Sequence, residues 1–227
     1  MIHVERICQY YGRQPIFTDV SFAIAPNEVC AIVGQNGAGK STLLQTLLGL
    51  LPLKHGKVTI CRYDIAKTDK WKKHVSYLPE HFQLYSQLTV QENMEFFASL
   101  EKVGKDKVER VLTQMGLIHH KGKKVRQLSK GMLQRLGLGL ALLRDADLIF
   151  LDEPTSGIDP FGRREIIQSM KEMKSLGKTI LFSSHHLHEV REVATHVLFL
   201  HEGKASKWPV EEFRLESAHF NPVPLSR

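Results

Sequence analysis

The chain alternates between short apolar runs and stretches whose apolar positions recur every three or four residues. "VCAIV" at 29–33, "DLIFL" at 147–151, "TILFS" at 179–183 and "HVLFL" at 196–200 are runs of strand length, dominated by apolar residues, with the pattern of parallel strands covered on both faces. Helical periodicity fills most of the intervals between them. That alternation predicts an α/β layer structure that binds its ligand where the parallel strands end. The opening stretch, "MIHVERICQYYGRQPIFTDVSFAIAPNEV", has no long helical period and predicts antiparallel β structure.

After one more strand near "HVSYL" at 74–78 the pattern turns helical. Thr89 and Glu92 stand at capping-box spacing, with Val90, Met94 and Phe97 on one face of the helix they open. In "LSKGMLQRLGLGLALL" at 128–143, Leu133, Leu136, Leu140 and Leu143 form an apolar stripe. Ser129 stands where a serine caps the first turn, leaving backbone N–H groups free to face an anion. Residues 82–143 therefore read as a mostly helical insertion within one domain spanning 1–204, and 205–227 read as a tail without periodicity.

At 227 residues the chain is long enough to bury a sizeable core. Its net charge of +7 favours anionic partners such as nucleotides, nucleic acid or acidic headgroups. Residues 101–130 hold nine Lys or Arg against three acids, a density that reads most simply as a solvated face. Cys8, Cys30 and Cys61 are widely spaced with no CxxC pair, which suggests a reducing compartment. The polar start does not resemble a signal peptide. The longest apolar candidate, "LLQTLLGLLPL" at 43–53, is short and broken by Gln45, Thr46 and Pro52, so no direct membrane insertion is expected.

Chemistry enters with "GQNGAGKST" at 34–42, set between a strand and a helical pattern as a phosphate-binding loop requires. Gly34, Gly37 and Gly39 let the loop, with Gln35, Asn36 and Ala38, curl its N–H groups inward ahead of Thr42 and the helix. Lys40 is placed to reach the β- and γ-phosphates and Ser41 to offer its hydroxyl to Mg²⁺. In "LIFLDEP" at 148–154 two carboxylates end a buried strand, where charge is costly without a cation or a reaction to serve. Asp152 suits the Mg²⁺ shell, and Glu153 suits polarisation of the water that attacks ATP. The anion site at Ser129 and Gly131 is then a second phosphate site without a loop of its own. Two copies facing head to tail would use it, each closing on triphosphate held by the other.

These motifs resemble the nucleotide-binding subunits of ABC transporters, in the family's order over nearly the whole chain. By that resemblance Tyr11 stacks on adenine, 34–42 is the Walker A loop, Glu80 takes the place of the Q-loop glutamine, and Ser129, Lys130, Gly131 and Met132 form the signature. Asp152 and Glu153 close Walker B, Asp159 belongs to the D-loop, and His185 is the switch histidine. The family's signature is usually LSGGQ, so Lys130 and Met132 depart from it, and Glu80 adds negative charge beside the phosphates. Both departures resemble bacterial ABC-2-type exporters, including the copper-processing ATPase of nitrous oxide reductase maturation.

The resemblance implies an ATP- and Mg²⁺-dependent hydrolase that works as a homodimer or a paired cassette. It implies an integral membrane permease as partner, on the inner face of a bacterial membrane, in export or periplasmic maturation. A soluble ABC ATPase acting on nucleic acid or the ribosome is the alternative, although the long insertions usual in such proteins are missing here and no nucleic-acid partner is expected. His188, Glu192 and His196, at helical spacing, read as a solvated face rather than a metal site.

Overall fold

The computed structural model describes residues 1–214. Strands β1 (Ile2–Tyr11) and β2 (Gln14–Ile24) form the antiparallel pair expected of the opening stretch. With β4 (His55–Ile60) and β5 (Tyr63–Asp64) they make a four-stranded sheet in the order β2-β1-β4-β5. The second sheet has six strands: β3 (Val29–Val33), β6 (Val75–Leu78), β7 (Leu148–Leu151), β8 (Thr179–Ser184), β9 (His196–His201) and β10 (Lys204–Pro209), ordered β10-β9-β3-β8-β7-β6. All its pairings are parallel except the edge pair of β9 and β10.

The apolar runs are continuous because the six-stranded sheet is buried on both sides. Val29, Ala31 and Val33 enter one apolar cluster with the helices, while Cys30 and Ile32 enter a second cluster with the antiparallel sheet. Burial also pushes the Cys30 thiol far above its ordinary pKa, so it stays a neutral packing group. Helix α1 (Lys40–Leu47) fills the space between the sheets with Leu43, Leu44 and Leu47.

The insertion holds α2 (Val90–Leu100), α3 (Lys105–Gln114) and α4 (Lys130–Leu143), with a loop rather than a helix over 82–89. Thr89 and Glu92 close the expected capping box. The leucine stripe of α4 faces the core unevenly: Leu136 and Leu143 are fully buried, Leu133 and Leu140 half so. Two further helices, α5 (Pro160–Ser175) and α6 (Leu187–Val193), flank the parallel strands.

One expectation is corrected. Residues 205–209, read as the start of a tail, lie in β10, paired to β9 in register Lys204↔His201 to Pro209↔His196. The strand runs at a sheet edge with most positions half-buried, so it shows no alternation to read. It is anchored by Lys207, whose ammonium lies 2.6 Å from Oε1 of the buried Glu28, and by Phe213 beyond it, which packs on Phe199. The remainder of the expected tail, 215–227, lies outside the described residues.

Candidate nucleotide site

Strand order assembles the site. Neighbours β3, β8, β7 and β6 run parallel, so their carboxyl ends open on one edge, the position where open α/β sheets bind ligands. From β3 emerges the glycine loop, from β8 His185, from β7 Asp152 and Glu153, and from β6 Glu80. Residues far apart in sequence thus share a cavity of 620 Å³, lined by Tyr11, Asn36, Gly37, Gly39, Lys40, Ser41, Thr42, Glu80, Glu153 and His185, together with Ile16 and Ser156.

The loop tolerates no side chain at two places. A Cβ on Gly34 would stand 2.5 Å from the Leu200 carbonyl oxygen, and one on Gly39, already at φ 96°, 2.7 Å from Ile16 Cγ2. Glycine there lets the backbone turn straight into α1. Lys40, the first residue of that helix, donates to the carbonyls of Gly34 (3.0 Å) and Gln35 (3.3 Å) and lies 3.6 Å from Glu153 Oε1. Ala38 N–H closes the loop on the Gln35 carbonyl.

The carboxylates are held with equal care. Ser41 and Ser183 both donate to Asp152 Oδ1, at 3.1 and 2.6 Å, while Ser183 Oγ accepts from the Glu153 N–H at 2.7 Å. Glu153 itself sits at φ 44°, a conformation uncommon for a non-glycine residue. His185 Nδ1 lies 2.9 Å from Glu153 Oε2, in reach for its N–H to donate to that carboxylate. Ser41 and Asp152 present adjacent oxygen donors of the kind Mg²⁺ takes. No cluster of three or more His, Cys, Asp or Glu suited to a metal occurs among the described residues.

Not every singled-out residue joins this cavity. Ser129 caps α4, accepting from Met132 N–H at 3.2 Å. Lys130 lines a different cavity, of 550 Å³, with Gln134 and Gly157, which shares Glu80 and Ser156 with the first. Gly131 packs against α5, where its Cβ would meet Gly162 Cα at 3.4 Å. Asp159 caps α5 through the N–H groups of Phe161 and Gly162. His188 pairs with Glu192 at the surface, whereas His196 turns toward Glu28. Sequence reading gives Ile16, Ser156 and Ser183 no role of their own. Ser156 opens the D-loop motif and Ser183 the motif of His185, but the contacts of Ser183 follow only once β8 is known to lie beside β7.

The sequence profile of the ABC transporter family matches residues 17–156, more than half of the chain. The chain belongs to the ABC transporter family. This ATP-binding cassette is 32% identical over 209 residues to the linearmycin resistance ATP-binding protein LnrL of Bacillus subtilis (strain 168), covering 90% of the cassette and 67% of LnrL. It is 33% identical to the glutamate/aspartate import ATP-binding protein GltL of Escherichia coli (strain K12), covering 90% and 88% of the two chains. Among solved structures, cbiO1 from Clostridium perfringens, part of the ABC transporter complex cbiONQ, superposes with a TM-score of 0.84 at 28% identity, over 93% of this chain and 89% of that one. The cassette is accordingly an ABC-type ATP hydrolase, and no helix among its described residues is long and apolar enough to cross a membrane.

Proposed function

We propose that this cassette is the MgATP-driven motor of a membrane permease, working as a pair in which each chain completes the other's nucleotide site. The observation that carries the reading is the division of phosphate-binding parts. Lys40, Ser41, Asp152, Glu153 and His185 line or border one cavity, while Ser129 and Gly131 lie outside its lining on the N-terminal turn of α4. A second chain brings that turn to the first chain's triphosphate, where its free N–H groups and dipole favour the anion.

In the bound state Tyr11, 56% exposed at the cavity mouth, stacks on adenine, and the glycine loop with Lys40 holds the phosphates. Ser41 and Asp152 would hold Mg²⁺, which would supply neutralisation of the phosphate charge. Glu153 takes the proton of the attacking water, and His185 keeps its carboxylate turned toward the reaction. The permease docks where the insertion meets the parallel sheet. There a cavity of 280 Å³ lies among Tyr77, Leu78, Phe82, Leu84 and Phe97, beside the exposed rings of Tyr85 and Phe96. Such an apolar surface suits a short cytoplasmic helix of the partner. The cassette then lies on the cytoplasmic face of the membrane. LnrL-like resistance and the ABC-2-like motifs favour export.

Glu153→Gln tests the chemistry. The variant is expected to bind ATP with parental affinity while turnover falls on the order of a hundredfold or more. Turnover at the parental rate would remove Glu153 from its role.

A further inference from the structure

Helix α6 begins two residues after His185, and its Glu189 turns inward to only 6% exposure. A buried carboxylate is costly unless hydrogen-bonded and paired. Glu189 is both, and to two different elements. Its Oε2 accepts from the hydroxyl of Thr155 at 2.5 Å, in the turn two residues beyond Glu153. Its Oε1 lies 3.5 Å from Nη1 of Arg163 on α5. With Nε the same guanidinium donates to the Ile158 carbonyl at 2.7 Å, in the loop that ends at Asp159. One carboxylate therefore joins the Glu153 turn, the helix following His185 and, through one arginine, the backbone of the 156–159 loop.

That loop also lies beside the second phosphate-binding element. A Cβ on Gly131 would stand in ordinary van der Waals contact with Gly162 Cα at 3.4 Å and Ile158 Cγ2 at 3.6 Å, so the capped turn of α4 and the Ile158 loop are close neighbours. Neither Arg163 nor Glu189 lines the nucleotide cavity. The buried carboxylate of Glu189 is costly without its partners, and the pair it forms with the partly exposed Arg163 sits between the hydrolytic pair and the surface offered to a second chain.

We infer that Glu189 and Arg163 are positioning residues, which hold the 156–159 loop in register with Glu153 and His185 so that a partner seated on that loop sets the geometry of hydrolysis. This rests on the reading of Glu153 and His185 as the hydrolytic pair. The bridge depends on the fork of arginine, since Nε and Nη1 serve two acceptors at once. A lysine keeps the charge but reaches only one of them.

The test compares Arg163→Lys, Glu189→Gln and the double variant with the parental protein for kcat, KM, ATP affinity and melting temperature. Arg163 is one-third exposed, so lysine fits without disturbing the core. Each single variant is expected to lose kcat by roughly ten- to a hundredfold, the scale of a small misplacement of reacting groups. ATP affinity should stay within about twofold, which separates positioning from binding. The double variant should be no slower than the slower single one, because both break one link. Parental kcat in Arg163→Lys, losses of kcat and ATP affinity in parallel, or additive losses in the double variant would each overturn the inference. A parental protein without ATPase activity would instead strike at the hydrolytic reading itself.

Discussion

Ser183 does two jobs with one hydroxyl, donating to Asp152 while accepting from the backbone N–H of Glu153. It thereby secures a glutamate whose positive φ costs of order 1 kcal/mol. Ser183→Ala leaves that buried N–H unpartnered, at a cost of about 1–3 kcal/mol. The variant should melt lower and hydrolyse more slowly with ATP affinity retained, as paired melting and turnover measurements would reveal. The placement of the glycine loop and of the Asp152–Glu153 pair at the strand ends was legible in the sequence, because spacing and strand context point to it. The contacts of Ser183 were not, since they follow only once its neighbour strand is known. Asp159 was legible as part of a loop motif, but its role as the cap of α5 came only from the hydrogen bonds it accepts.

At the scale of elements, periodic segments announced themselves and edge segments did not. The box at Thr89 and Glu92 marks the start of α2 in sequence and structure alike, because both orphan donors find partners three residues apart. β10 is invisible to periodicity. It pairs with β9 through the backbone ladder, and Lys207 ties it to Glu28, far away in sequence. Beside them His196 is held below the ordinary histidine pKa, chiefly by burial, with Glu28 opposing and Lys207 adding to the shift. The folded state therefore takes up this proton less readily than the unfolded chain. The contribution of His196 to stability is whole above about pH 6.5 and declines as pH falls below it. Melting temperatures between about pH 5 and 7 should rise with pH, and His196→Gln should flatten part of that slope.

For the whole molecule, the order β3-β8-β7-β6 is what turns four separate motifs into one site, an order that none of the motifs contains by itself. Alternating strands and helices foretold a parallel sheet, but not which strands are neighbours, since that is decided by long-range packing. The exposed aromatic surface over the insertion belongs to this scale too. Phe82 reaches the core through Gly137, where a Cβ would meet its ring at 2.6 Å, whereas Tyr85 remains 51% exposed. Tyr85→Ala should therefore keep basal ATP binding and turnover yet lose stimulation by the permease, measured in proteoliposomes. Undiminished stimulation would place the docking surface elsewhere.

Pairing across shared triphosphate is tested most directly by light scattering of Glu153→Gln, with parental turnover per chain measured against protein concentration. With MgATP the variant should reach twice the mass of one chain and fall back to a single chain with ADP, while parental turnover per chain rises with concentration. A particle of one chain's mass in MgATP, joined to full turnover that is independent of concentration, would contradict it.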